Sequence, residues 1–89
     1  MRKDPLPNEV REVVLRTFQD LDAAVFSPRD IDETILLDDG RYTARSYKAD
    51  GYMAMWLIGI GSVQFYNAEG DMLLTINLLE EIEPQRMAA

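Results

Sequence analysis

The chain has 89 residues, a net charge of −7, and neither cysteine nor histidine. That length gives one domain with a modest core, residues 1–89 as a single unit. The missing residue types exclude disulfides, serine triads built on histidine, cysteine nucleophiles, zinc sites with N or S ligands, and haem held by His or Cys. The acidic balance argues against nucleic-acid binding, because like charge repels phosphate backbones. No apolar run reaches the length of a membrane span, and Met1-Arg2-Lys3-Asp4-Pro5 lacks the apolar stretch of a signal peptide. A cytoplasmic protein that does not engage membranes is therefore expected.

The first element is a helix over 8–26. Val10, Val13, Val14, Thr17, Phe18, Leu21, Ala24 and Val25 recur at i, i+3, i+4, i+7 spacing, and Glu9, Glu12, Arg16, Gln19 and Asp20 take the opposite side. Leu15 lies off the stripe. Pro5 and Pro7 suit a first turn, with Asp4 or Asn8 as the cap. Pro28 forces its predecessor towards an extended conformation and ends the helix at Phe26-Ser27. Ser27-Pro28-Arg29-Asp30 then reads as the cap of one short turn.

Glycines follow at intervals of about ten residues: Gly40, Gly51, Gly61 and Gly70. Three stand behind an acidic residue, and the runs between them are rich in Tyr, Thr, Ile, Val, Leu and Trp. That pattern predicts an antiparallel meander with strands over 33–38, 41–48, 52–59, 62–67 and 71–79, followed by a tail over 80–89. Two-residue turns at Asp39-Gly40, Asp50-Gly51 and Glu69-Gly70 fix a register. They pair Leu37 with Tyr42, Ile35 with Ala44, Arg45 with Trp56, Tyr47 with Ala54, Phe65 with Leu74 and Val63 with Ile76. A bulge or three-residue loop at Gly59 to Gly61 pairs Leu57 with Val63 and Met55 with Phe65. One face then collects Ile35, Leu37, Tyr42, Ala44, Met55, Leu57, Val63, Phe65, Leu74, Ile76 and Leu78. The helix stripe is expected to cover that face, with Phe18 against Leu57 and Phe65.

The fold class is α+β: one N-terminal helix packed on a five-stranded antiparallel meander of order 1-2-3-4-5. In outline it resembles helix-on-sheet folds such as the cystatin-like group, a likeness of shape that carries no function. No family motif accompanies it. Gly59-Ile60-Gly61 shares only a G-x-G with dinucleotide-binding loops.

The other face is expected to carry the functional surface. The third strand is apolar on both sides, and the fifth nearly so, which means burial on both faces. The candidate interface or ligand surface is Thr43, Arg45, Tyr47, Trp56, Ile58, Tyr66 and Leu73. Its occupant is expected to be a second copy of the chain, with another protein, or the tail through Ile82 and Met87, as alternatives. A further alternative is a small-molecule binder or minor enzyme with a pocket at Trp56, Tyr47 and Tyr66, in which Arg45 orients an anionic group. The acidic cluster Asp30, Asp32, Glu33, Asp38 and Asp39 reads as solvated surface, because Ile35 stands where a calcium loop needs Gly. No catalytic residue, metal or cofactor is assigned.

Overall fold

The computed structural model describes residues 5–82. Helix α1 spans Pro7–Asp20, and a 3-10 turn follows at Pro28–Asp30. The strands are β1 (Asp32–Asp38), β2 (Arg41–Ala49), β3 (Tyr52–Leu57), β4 (Ser62–Tyr66) and β5 (Met72–Asn77). A second helix, α2, occupies 78–82 at the end of the described residues. Strand order is β1-β2-β3-β4-β5, with every neighbouring pair antiparallel. This is the α+β helix-on-meander fold that the sequence predicts.

Helix α1 begins with Pro7, and Leu6 stands at the N-cap. Glu9 Oε1 accepts the Leu6 N–H at 2.9 Å, so a first-turn carboxylate does the capping. Asn8 lies inside the helix, and Asp4 lies outside the described residues. The helix ends at Asp20, six residues short of the predicted 26. Its stop is a Schellman motif. The Asp22 N–H donates to the Gln19 carbonyl at 3.0 Å and the Ala23 N–H to the Phe18 carbonyl at 2.9 Å. Asp22 takes φ 66°, the left-handed position usually given to Gly. Val25 still reaches the core, from an irregular connection. Leu15 is partly buried against the core's edge. Asp30 Oδ2 accepts the N–H groups of Phe26 and Ser27 at 2.8 and 3.2 Å, the predicted cap of the short turn.

The Asp39-Gly40 and Asp50-Gly51 turns hold positive φ at both positions (52° and 75°, 49° and 82°), the signature of type I′ hairpins. The β2–β3 register agrees with the sequence from Lys48–Met53 to Ala44–Leu57. The β4–β5 register agrees at Phe65–Leu74, Gln64–Thr75 and Val63–Ile76, then shifts so that Tyr66 pairs with Met72. Two departures matter more. In the first hairpin Leu37 pairs with Tyr42 and Leu36 with Ala44, which leaves Thr43 as an extra residue. The β3–β4 connection takes one residue more than expected, so Leu57 pairs with Ser62 and Trp56 with Val63.

Each one-residue slip exchanges the two sides of a strand. Together they turn over β2 and β3 alone. The expected face is right for Ile35, Leu37, Tyr42, Val63, Phe65, Leu74 and Ile76, and is corrected for Ala44, Met55 and Leu57. The inner, helix-facing side of β2 and β3 carries Arg45, Tyr47, Ala54 and Trp56, which lie in the rows of Val63 and Phe65. Phe18 is fully buried, edge-on to Phe65 at 5.7 Å and tilted against Tyr52 at 6.3 Å. Its predicted contact with Phe65 stands, whereas Leu57 is on the far side of the sheet.

Strand β5 stops at Asn77 instead of 79 because Asn77 caps α2. Its Oδ1 accepts the N–H groups of Leu79 and Glu80 at 3.0 and 3.4 Å. Leu78 and Ile82, one turn apart, are buried in the same core cluster as Phe18 and Val14. Both described helices therefore cover the inner face.

Candidate functional site

The structure separates the seven residues of the expected surface. Arg45, Tyr47 and Trp56 lie on the inner face, and Tyr47 and Trp56 are buried. Their expected place on the outer face is corrected, for the reason of register just given. Tyr66 is on the outer face in the row of Met53. Thr43 and Leu73 are the extra residues at the two register shifts, and both are exposed. Ile58 opens the β3–β4 loop and packs partly against the core.

The inner-face residues form a polar cluster at the margin of α1. Arg11 reaches from the helix to Glu33 on β1, with Nε and Nη2 at 3.1 and 2.9 Å from Oε1. Arg45 Nη1 donates to the other oxygen of the same carboxylate. The Arg45 guanidinium lies 5.2 Å from the Tyr42 ring centroid and 5.8 Å from that of Trp56. The cross-strand pairing of Arg45 with Trp56 was legible in the sequence. The link to Glu33 and Arg11 was not, since no local spacing joins residues so far apart in the chain.

Burial acts to lower the Arg45 pKa, but the hydrogen bond and charge of Glu33, with Tyr42 and Tyr47, carry it above its ordinary value. Burial pushes the Tyr47 hydroxyl up, and the Glu33 carboxylate adds to the rise while Arg45 opposes it. Tyr47 Oη, Trp56 Nε1 and Arg45 Nε are buried with no hydrogen-bond partner among the described residues. Through the Nη1 bond to Glu33, Arg45 ties the edge strand β1 to β2. Two depressions lie on the described surface, and neither is lined by Arg45, Tyr47 or Trp56. The larger, about 490 Å³, lies where Met53 and Tyr66 meet the turns at Asp50-Gly51 and Asn67–Gly70.

The outer face has a different make-up. Met53, Met55 and Leu57 run down its centre on β3. Across the strands, Asp32, Lys48, Met53, Tyr66 and Met72 form one row. Thr34, Ser46, Met55, Gln64 and Thr75 form the next, and Leu36, Ala44, Leu57, Ser62 and Asn77 the third. No helix among the described residues crosses it. Among those residues no group of three or more His, Cys, Asp or Glu is placed to hold a metal ion, and no helix is long and apolar enough to cross a membrane. Comparison with known protein families, curated proteins and solved structures returned no match.

Proposed function

We propose that the protein is a non-catalytic interaction module that forms a homodimer by laying the outer face of its sheet on that of a second copy. The supporting observation is that β3 is apolar on both sides while both described helices cover the inner side only. Met53, Met55 and Leu57 stand in the middle of the uncovered face. A second copy suits the distribution of charge. A two-fold axis along the middle row lays Asp32 and Lys48 against the uncharged row of Leu36 and Ala44, so no like charges meet within these three rows. The interface surface becomes Met53, Met55, Leu57 and Tyr66, with Leu36 and Met72 at its margins.

Light scattering on a size-exclusion column tests this. A dimer is expected at micromolar concentration. It should tighten with added salt, because each copy carries −7 and screening relieves the repulsion. Met55→Lys is expected to give a monomer with an unchanged circular dichroism spectrum. A wild-type chain that stays monomeric at high micromolar concentration defeats the reading.

A further inference from the structure

The sheet has another uncovered feature, at its side. β1 is an edge strand, exposed along almost its whole length. Its centre is Ile35-Leu36-Leu37, with Ile35 52% and Leu37 66% exposed. Proteins blunt such edges with charge, proline or a covering element, since an unpaired apolar edge is a template for another strand. Here Ile35, Leu37 and Tyr42 share the inner face beyond the reach of α1 and form an apolar ledge beside the edge.

The hydrogen-bonding direction of the edge follows from the two turns. The pair that closes a two-residue hairpin is hydrogen-bonded, and such pairs alternate along the ladder. Counting from Ala49–Tyr52, residues 49, 47 and 45 bond to β3, so Lys48, Ser46 and Ala44 bond to β1. Their partners Asp32, Thr34 and Leu36 face inward along the ladder. Counting from Asp38–Arg41 gives Leu37 as outward-facing, in agreement. The backbone N–H and C=O groups of Glu33, Ile35 and Leu37 therefore point away from the sheet.

Charge selects the occupant. Asp32, Asp38 and Asp39 are exposed at the two ends of the strand, while Glu33 is already held by Arg11 and Arg45. A second copy paired antiparallel about Ile35 sets Asp32 against the other copy's Asp38. Pairing about Leu36 sets Glu33 against the other Asp39. Like charges directly opposite are destabilising, so both of these central registers disfavour a second copy. We propose that β1 is a docking edge for an extended segment of another protein, apolar at alternate central positions and basic at both ends, which adds to the sheet as a sixth strand. Its inward side chains would rest on the ledge of Ile35, Leu37 and Tyr42, and its flanking Lys or Arg residues against the acidic ends.

The test uses the full chain and two labelled peptides of alternating valine and threonine, one flanked by paired lysines and one by paired glutamates. In anisotropy titrations the lysine-flanked peptide is expected to bind at micromolar concentration and to weaken with salt. The glutamate-flanked peptide should bind at least tenfold more weakly. Amide resonances of Glu33, Ile35 and Leu37 should shift. The Met55→Lys variant should bind equally well, which separates this edge from the proposed dimer face. Ile35→Pro removes an outward N–H without touching the β1–β2 ladder and should cut affinity at least tenfold. Asp38→Lys, which keeps the test sound where Ile35→Pro fails to fold, should narrow the preference between peptides at least threefold. The proposal is overturned by equal binding of both peptides, by no binding of the lysine-flanked one at millimolar concentration, or by shifts confined to β5. It is equally overturned by Ile35→Pro in a folded protein, or Asp38→Lys, leaving binding unchanged, or by wild-type self-association that Ile35→Pro abolishes.

Discussion

The two faces of β3 carry similar chemistry and meet different surroundings. Ala54 and Trp56 point inward and are buried beneath the helices, in one cluster with Phe18, Val63 and Phe65. Met53, Met55 and Leu57 point outward and remain partly accessible, with no described element above them. An apolar strand interior therefore records two demands for cover, and the described fold meets one. The same side-chain type has a different energetic role on each face: it holds the monomer together on one and is available to a second molecule on the other.

The contrast breaks most clearly at Trp56 and Phe18. Trp56→Lys is expected to leave the chain unfolded, since it places a charge in the core. Phe18→Ala should cost about 3–5 kcal/mol, much of the roughly 5–15 kcal/mol that holds a small domain. Urea denaturation followed by circular dichroism reads both. If either variant melts like wild type, the inner face has been misassigned.

Next in size is Glu33. Removing its carboxylate strips Arg45 of its ion-pair partner, and the Arg45 side chain is only 13% exposed. Glu33→Ala should destabilise by about 2 kcal/mol, between the roughly 0–1 of exposed pairs and the roughly 3–5 of fully buried ones. The double variant with Arg45→Met should recover part of that loss in a double-mutant cycle. A Glu33→Ala protein as stable as wild type would show that the cluster does not anchor β1.

Tyr47 sharpens the comparison through pH. Burial raises its pKa in the folded state above the unfolded value. Its contribution is therefore full below about pH 10 and is lost as pH rises through the unfolded and then the folded pKa. Thermal melts should decline above about pH 10, and Tyr47→Phe should flatten that decline. At neutral pH the same variant should cost less than about 1 kcal/mol, because it removes a buried hydroxyl that lacks a partner. The smallest effect belongs to the outer face. Leu57→Ala should change monomer stability by under about 1 kcal/mol and weaken the dimer about tenfold, as read by sedimentation equilibrium.

Most of the architecture was legible because turn chemistry is local. Asp-Gly pairs at 39–40 and 50–51 specify type I′ turns, and the β2–β3 register follows from one of them without error. The faces of β2 and β3 were not legible, because each depends on a single inserted residue. Thr43 could sit in a regular ladder as easily as in a bulge, and the 58–61 loop contains glycines at two places where the chain can turn. The early stop of α1 was hidden for a related reason: Asp22 does what Gly usually does, and the stripe continues past it through Val25. Arg45, Tyr47 and Trp56 are neighbours in the sequence register and in the structure, but the structure sets them on the inner side of the sheet and the sequence register on the outer. The long-range tie from Arg11 to Glu33 left no mark in the sequence, since either residue alone reads as ordinary surface charge.

The arrangement of the helices has a consequence for how the chain acquires its structure. Every strand pairs with its neighbour in sequence, so the meander can zip up hairpin by hairpin with small loop-closure cost at each step. The hydrophobic core cannot do the same. It joins Val10, Val14 and Phe18 on α1 to Leu78 and Ile82 on α2, and Glu81 lines the same depression as Val13 and Thr17. A chain emerging from the ribosome can form hairpins early, yet its two most distant helices meet only after Ile82 has been made. Until then the part of the inner face that Leu78 and Ile82 fill stays open, together with the uncovered outer face of β3. The last residues of the core thus end the period in which the chain is most prone to aggregate.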